Sequence, residues 1–472
     1  MMPFAADTSH KLTIAETLAA YFAGKGFSGD AIPSDSMALY ALDTLAMALG
    51  GAGARSSQIA RKALFSGPGA ATVYGAGTTA SPAEAALLNG TAAHALELDD
   101  DHRTSVMHPG AVVVPAAFAM AEATGASGRD FLRGVLAGYE VAIRAGDAYE
   151  GGLYRNGFHP TAVCGVFGAA AACSVILGLD EKAFARAMGI AGTQASGLVE
   201  WRTDGSWIKR LHPGRSAQSG LMAAQLAQGG FTGPVSVFEG DYGVFKALGH
   251  GAPVRASALT KELGKTFLSL GTAIKPFPCC RFSHGAIDLA LEAHTRLGGR
   301  APDALTVRLF RTDVLTYHKR PTNTVDAQFS VPYLVAVAML TGKVGLSDFT
   351  EEAISRPEIL DLASRIQVIE DPEFSALYPE TYVTVFEIAD GASRFELRND
   401  CPSGDPEASA YRTDPDLLRR ETIAKTKRIL GECGYGARAG ALVEAVYDLP
   451  HAPNVAAVAA LLKPVADGPT PS

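Results

Sequence analysis

The densest chemistry in this 472-residue chain lies in His94 to Pro109, HALELDDDHRTSVMHP. There Glu97, Asp99, Asp100 and Asp101 meet His94, His102, Arg103 and His108. Only 19% of the chain is charged and both flanks are rich in Ala, Gly and Leu, so this knot sits where burial and neighbouring charge shift pKa values. Two plainer readings compete: a solvated helix-to-loop transition, and a metal cluster. His94, Asp99, Asp101, His102 and His108 are ligand types for Zn, Mn or Fe, but their spacing matches neither an HExxH helix face nor a facial triad. A metal-dependent hydrolase or lyase therefore stays open as a rival, with no metal ligand assigned.

Four other stretches carry complementary groups. Tyr154 to Pro160 (YRNGFHP) sets His159 at the turn before a helix, where free N–H groups and the helix dipole favour anions. Asp204 to Arg215 (DGSWIKRLHPGR) is the most cationic short segment, with Lys209, Arg210, His212 and Arg215 ahead of an expected helix. Lys275 to His284 (KPFPCCRFSH) brings Lys275, Arg281 and His284, and Tyr317 opens the basic turn YHKRP. Singly, each has a dull reading: a surface lysine, a capping histidine, a packed thiol pair, a half-buried aromatic, an ion-paired arginine. Together they are cations and histidines at helix starts with carboxylates nearby, which suits a cofactor-free acid/base enzyme on a small polycarboxylate. Removing a proton beside a carboxylate builds an enediolate dianion, which needs a base and several cations or donors around its oxygens. Histidine, near 6.5 when unperturbed, serves as acid or base, and lysine supplies fixed charge.

Helices must position these groups. Thr13-x-x-Glu16 is a capping box opening a helix that ends at Gly24; Pro33 to Leu49 is a second; Ser81-Pro82-Ala83-Glu84 opens a third that runs into the His94 knot. Further helices are expected over 112–124, 129–146, 160–177, 181–191 and 215–228, with no strand-period pattern among them. GGAG at 50–53 follows a helix rather than a strand, so it is no dinucleotide loop. After about residue 270 the texture changes. Ala304 to Arg311 and Arg365 to Ile369 alternate apolar and polar, and Tyr382 to Ala389 and Ala392 to Arg398 flank the hairpin signal Asp390-Gly391. Helices are expected at 327–340 and 347–364, and again from 413. The expectation is a mainly α protein: 1–270 a large helical domain, 271–403 a smaller α+β domain with a mostly antiparallel sheet, 404–462 a return to the helical domain, and 463–472 a polar tail.

The totals narrow the function. So long a chain exceeds one ordinary core. A net charge of −8, a pI near 5.8 and no Lys/Arg run argue against nucleic acid as a partner. Cys164, Cys173, Cys279, Cys280, Cys401 and Cys433 form no CxxC pair and lack iron–sulfur spacing; they read as reduced thiols of a cytoplasmic protein. The N-terminal residues carry no signal-peptide pattern, and the apolar run at 161–178 reads as a buried helix rather than a membrane span.

HALELDDDHRTSVMHPG, GFHPTA, KRLHPGR and KPFPCCRFSH occur in the order and spacing of the MmgE/PrpD family, which the chain resembles from about residue 12 to 462. That family includes 2-methylcitrate dehydratase, cis-aconitate decarboxylase and iminodisuccinate epimerase. The resemblance implies a helical domain formed by both chain ends, an α+β lid domain, a homodimer without metal or organic cofactor, and an active site between body and lid. It assigns acid/base roles to His108 and His159, substrate-neutralising charge to Lys209 and Lys275, and a donor role to Tyr317. Glu97 takes the family's acidic position, while Asp101 falls where the decarboxylases have Thr and Cys280 where they have His. The loop to His108 is one residue longer, and the WLDYNDTW-like motif of typical 2-methylcitrate dehydratases is absent. The expected function is a lyase abstracting a proton beside a carboxylate of a di- or tricarboxylic acid, with Glu97, Asp101, Arg103, His212 and Arg281 as substrate contacts. Dehydration comes first; epimerisation of an imino- or amino-polycarboxylate such as iminodisuccinate, and cis-aconitate-type decarboxylation, are the alternatives. Outside the family, a non-catalytic helical scaffold remains beside the metalloenzyme.

Overall fold

The computed structural model describes residues 11–24, 27, 32–251, 254–310 and 320–464. Thr13 caps α1 (Ile14–Phe22) reciprocally: its Oγ1 accepts from Glu16 N at 3.2 Å while Glu16 accepts from Thr13 N at 2.8 Å. After α2 (Ser34–Gly51) and α3 (Arg55–Leu64), the Ser81 hydroxyl caps α4 (Pro82–Ala93), which delivers the chain to the knot; α5 (Gly110–Thr124) leaves it. Then come α6 (Gly128–Asp147), α7 (Gly152–Arg155), α8 (Pro160–Ile176), α9 (Glu181–Gly192), α10 (Ile208–Gln228) and α11 (Val244–Gly249).

Helix α8 is apolar all round and buried, packed against α5, α6 and α10. Two glycine crossings matter for the site. A Cβ on Gly168 would stand 2.7 Å from Gly138 O, so α6 and α8 touch backbone to backbone. A Cβ on Gly90 would stand 2.9 Å from the Cα of Gly214, and that close crossing of α4 with α10 sets Lys209 beside His94.

Three sequence expectations change here. The cationic KRLHPGR segment does not precede a helix starting at 215: α10 begins at Ile208 and carries Lys209 to Arg215 in its first turns, with Pro213 inside it. The helical half also holds strands. β1 (Ala71–Val73) and β2 (Thr78–Ala80) pair antiparallel, each too short to show alternation, with Gly75 and Gly77 at positive φ between them. β3 (Asp101–His102) pairs with β4 (Thr272–Ala273), Asp101 opposite Ala273, which brings the Lys275 segment against the knot. Third, the helix expected over 347–364 is broken into short turns at Leu346–Phe349 and Ala353–Ser355 before α15 (Pro357–Arg365) begins at its proline.

The second unit contains α12 (His284–Leu297), β5 (Ala304–Leu309), α13 (Thr324–Phe329), α14 (Val331–Thr341), α15, β6 (Gln367–Glu370), α16 (Pro372–Ala376), β7 (Thr384–Asp390) and β8 (Ser393–Asn399). Its sheet runs β6-β5-β7-β8, parallel only between β5 and β6, and Asp390 pairs with Ser393 across the turn containing Gly391. The chain then forms α17 (Ser409–Thr413), α18 (Leu417–Glu432), α19 (Gly436–Tyr447) and α20 (Ala456–Leu461).

Burial divides the apolar side chains. One core gathers residues from Ala15 to Ile274 with Ile429, Leu442 and Val458 from the other end of the chain. A second gathers Cys279 to Leu397 and reaches back to Val106, Tyr154 and Trp201. The architecture is mainly α. Among the described residues, no single helix is long and apolar enough to cross a membrane.

Candidate active site

The knot is buried, not solvated: His94, Asp99 and Asp100 have no solvent exposure. Behind it, Lys425 of α18 pairs with Asp43 of α2 at 2.6 Å and donates to Leu98 O at 2.6 Å, so the returning C-terminal helix holds the loop from below. Asp100 ties the other side, accepting from Tyr139 Oη at 2.6 Å and Gly110 N at 3.0 Å. Between these anchors the backbone passes through the left-handed region at Glu97 (φ 55) and at Val106 (φ 55), the latter an outlier for a β-branched residue.

Two lysines from distant parts of the chain converge on Glu97. Both of its carboxylate oxygens accept from Lys209 Nζ at 2.6 Å, and its Oε1 stands 3.5 Å from Lys275 Nζ. Lys209 spends its third hydrogen on His94 Nε2 at 2.9 Å. An ammonium only donates, so His94 accepts there and carries its proton on Nδ1, given to Asp99 Oδ2 at 2.7 Å. His108 Nδ1 lies 2.7 Å from Asp100 O; a carbonyl only accepts, so that nitrogen holds the proton and Nε2 keeps its lone pair. The histidine rings follow one another, His94 to His108 at 4.9 Å, His94 to His159 at 5.9 Å and His159 to His212 at 5.3 Å between centroids.

Electrostatics separates groups that are alike in sequence. Burial alone would raise Glu97, but Lys209, Lys275 and two histidines outweigh it and hold it well below the ordinary carboxylate value. The same contest, with His94 and His108 as the main partners, holds Asp99 down. Asp100 is pushed well up by burial, against the Tyr139 hydrogen bond. Asp101 is raised to about 6, burial winning over Arg281 and Lys275. Burial, with nearby cations and histidines, lowers His108 to about 3 and His212 to about 4, and carries His159 well below its usual value. These three imidazoles are neutral bases at neutral pH.

Glu97, Asp101, His108, His159 and Lys209 line a cavity of about 30 Å³ with Cys280, Arg281 and Phe329 from the second unit. That is room for one or two water molecules. Burial pushes the Cys280 thiol up to about 12, so it presents a neutral S–H to the cavity. On the cavity's lining Asp101 Oδ2 is buried without a hydrogen-bond partner among the described residues, and beside it so are Asp99 Oδ1 and Lys275 Nζ, the latter on a fully buried side chain.

The structure thus brings together His108, His159, Lys209, Lys275, Glu97, Asp101 and Arg281 of the expected set. His212 backs His159, Nδ1 to Nδ1 at 3.1 Å. Arg103 points elsewhere: it is bound by Asp405 and Glu407 at 2.6 Å each and lines a different, larger cavity. Its sequence neighbours gave no hint of carboxylates three hundred residues away. Tyr317 lies outside the described residues. Sequence reasoning gave His94 no role beyond that of a metal ligand; its spacing to Asp99, which allows the short contact between them, was the available signal. Trp201 and Phe329 were missed as well, their rings 5.7 and 5.5 Å from the Lys209 ammonium.

A metal centre fits poorly. His94, Asp99 and His108 do offer donor atoms within 4.8 Å of one another. However, both Nδ1 atoms carry protons already given to oxygen, and His94 Nε2 faces the Lys209 ammonium. The trio is wired as a hydrogen-bond relay.

Comparison with known proteins agrees along the chain. The MmgE/PrpD N-terminal domain model matches residues 16–257 and the MmgE/PrpD C-terminal domain model residues 277–429. A cis-aconitate decarboxylase from Aspergillus terreus is 32% identical over 378 residues, covering 73% of this chain and 76% of its own. The cis-aconitate decarboxylase-like protein oryM of Aspergillus oryzae is 31% identical over 363 residues (71% and 74%), and the human cis-aconitate decarboxylase 30% over 338 residues (68% of each).

Proposed function

The chain belongs to the MmgE/PrpD family, and on that footing we propose that it is a lyase that removes a proton beside a carboxylate of a small di- or tricarboxylic acid. The observation that carries this reading is Lys275: a fully buried ammonium with no hydrogen-bond partner, 3.5 Å from Glu97. Against burial, Glu97 and Asp99 keep this group charged, yet no acceptor completes its hydrogen bonding, and a substrate carboxylate is the acceptor such a site suits. His108, neutral and with Nε2 unprotonated, is the base, and His159 the second proton carrier. Lys275 and Lys209 stabilise the enediolate, and Glu97 keeps the two ammonium groups together while the site is empty. Tyr317 serves as a further donor.

The reaction needs no metal or organic cofactor in this reading. The α+β unit acts as a lid, because a cavity of about 30 Å³ admits substrate only when Cys280, Arg281 and Phe329 withdraw. The lyase works as a homodimer in the cytoplasm.

Dehydration is the first choice of chemistry. Decarboxylation is the second, favoured by relatives named cis-aconitate decarboxylase. Epimerisation follows from the same intermediate if the proton returns to the opposite face. The test is deuterium wash-in from D₂O, read by NMR with citrate, 2-methylcitrate, malate, cis-aconitate and iminodisuccinate. Exchange at the carbon beside a carboxylate is expected with at least one of them; olefin formation, CO₂ release or exchange without net change then identifies dehydratase, decarboxylase or epimerase. Exchange with none of these acids overturns the reading.

A further inference from the structure

We propose that Asp101 is a catalytic acid that protonates the leaving hydroxyl, which makes a hydroxylated di- or tricarboxylate the substrate class of this site. The inference rests on the proton-abstraction reading above and deepens it. It starts from which polar atoms have partners. All three hydrogens of Lys209 are committed, two to Glu97 and one to His94. Arg281 gives its hydrogens to Ser403 O at 2.7 Å and Pro402 O at 3.3 Å, and stands 3.7 Å from Asp405. What remains is the Lys275 ammonium, without a hydrogen-bond partner, and two unpartnered carboxyl oxygens, Asp99 Oδ1 and Asp101 Oδ2; of the two aspartates Asp101, its side chain 6% exposed, is the one that lines the cavity with His108.

The matching ligand carries a carboxylate for Lys275 and, for Asp101, a group that accepts from the carboxylic acid and donates to the carboxylate. A hydroxyl does both, so a hydroxy acid fits. A third carboxylate of an unsaturated acid only accepts, and the ionised form of Asp101 repels it. Burial, Asp405 and Asp99 push Asp101 up while Arg281 and Lys275 pull it down; the balance, about 6, leaves a protonated fraction near neutral pH. Oδ1 of Asp101 is 3.9 Å from Nδ1 of His108, so acid and base stand side by side.

The step balances. His108 Nε2 takes the C–H proton, and the electron pair of that bond passes into the enediolate beside Lys275. The pair then returns to form the C=C bond as the C–O bond breaks, the departing oxygen takes the proton of Asp101, and water leaves. His108 ends protonated and Asp101 ionised, and proton exchange with solvent restores both.

The experiment follows deuterium exchange and olefin formation together, by NMR in D₂O, with malate, citrate and 2-methylcitrate as hydroxy acids and cis-aconitate as the unsaturated acid. The near-isosteric Asp101→Asn protein is expected to form olefin about 10²-fold more slowly, with exchange of the same acid slowed far less. A role in folding or shape would slow both equally. Asp101→Thr should behave as Asp101→Asn does towards hydroxy acids. Olefin formation by Asp101→Asn at the wild-type rate, or wild-type turnover of cis-aconitate alone, overturns the proposal and leaves proton abstraction standing. No exchange with any acid removes both.

Discussion

The hairpin at 101–107 separates two cavities, and they differ in a way that composition does not announce. On one side lies the cavity of about 30 Å³ that holds His108 and Lys209; on the other lies one of about 690 Å³, lined by Arg103, Arg155, Arg255, Asp147, Glu150 and Glu407 among others. The larger is the richer in arginine and the easier to enter. Two of its arginines are paired, however: Arg103 sits between Asp405 and Glu407, and Arg255 stands 3.5 Å from Glu150 with both side chains about half exposed. The smaller is lined by an unpartnered carboxyl oxygen and two imidazoles displaced far from their usual pKa, with a third, His212, behind His159 and the Lys275 ammonium, without a hydrogen-bond partner, 3.5 Å from Glu97. What marks a candidate site is incomplete pairing under burial, because only there does a ligand supply energy that water cannot.

The largest expected effect tests the scaffold of the buried side. Lys425→Met leaves Asp43, fully buried, without its cation and frees the Leu98 carbonyl. Breaking one half of such a pair costs about 3–5 kcal/mol, read as a drop in the urea midpoint. The Asp43→Asn/Lys425→Met double variant should recover part of that loss, since no lone charge remains. A single variant as stable as wild type would mean the knot is not held from below.

Next is Lys275→Met, which removes the unpartnered cation and keeps the volume. Loss of one donor to a developing oxyanion costs about 2.7–4 kcal/mol, or 10²–10³ in kcat. Folding stability should fall far less than in Lys425→Met, because Glu97 keeps its two contacts of 2.6 Å with Lys209. The unequal sizes are the check: a protein that lost stability as far as Lys425→Met does would make Lys275 structural.

The third prediction uses protons. The unfolded chain takes protons on His108, His159 and His212 near pH 6.5, whereas the native chain refuses them until far lower, about 3 for His108 and about 4 for His212. Stability from these groups is therefore present above about pH 6.5 and is lost as the pH falls. Asp101 opposes this: raised to about 6, its contribution is lost as the pH rises from about 4 to about 6. Asp100, also pushed well up by burial, opposes them with Asp101, while His102 and His284, lowered by burial, add to them. The test is therefore a difference: from pH 7 to pH 5 the urea midpoint should lose less in His108→Gln than in wild type. An identical pH response in the two proteins would mean that His108 is not held neutral.

Much of the smaller cavity was legible because its parts come in short motifs at helix starts. His159 does precede α8, His108 does precede α5, and the Thr13 and Ser81 caps stand where their spacing put them. What could not be read is long-range pairing. That Lys209, 112 residues further along the chain, rather than solvent meets Glu97 depends on the Gly90–Gly214 crossing. Arg103 looked like a partner of its neighbouring aspartates, yet its carboxylates come from Asp405 and Glu407. The three consecutive aspartates look alike in sequence. One is held low, one is pushed well up and one reaches about 6, because each meets different partners in the fold.

The smallest expected effect closes the comparison from the open side. Arg255 and Glu150 have side chains 53% and 50% exposed, with the guanidinium 3.5 Å from the carboxylate. Water and salt screen such a pair, holding the charges in place costs side-chain entropy, and exposed pairs contribute about 0–1 kcal/mol. Arg255→Ala should therefore shift the urea midpoint within that range, and less so at high salt, with wild-type kcat. The same chemical change on Lys209 of the buried cavity strips two contacts of 2.6 Å from Glu97 and one of 2.9 Å from His94, with the side chain only 7% exposed. If Arg255→Ala lowered turnover as far as Lys275→Met does, the larger cavity would belong to the reaction path, and the division drawn by the 101–107 hairpin would not hold. Wild-type turnover in Arg255→Ala means that pairing under burial, rather than the amount of charge, decides which side of the hairpin reacts.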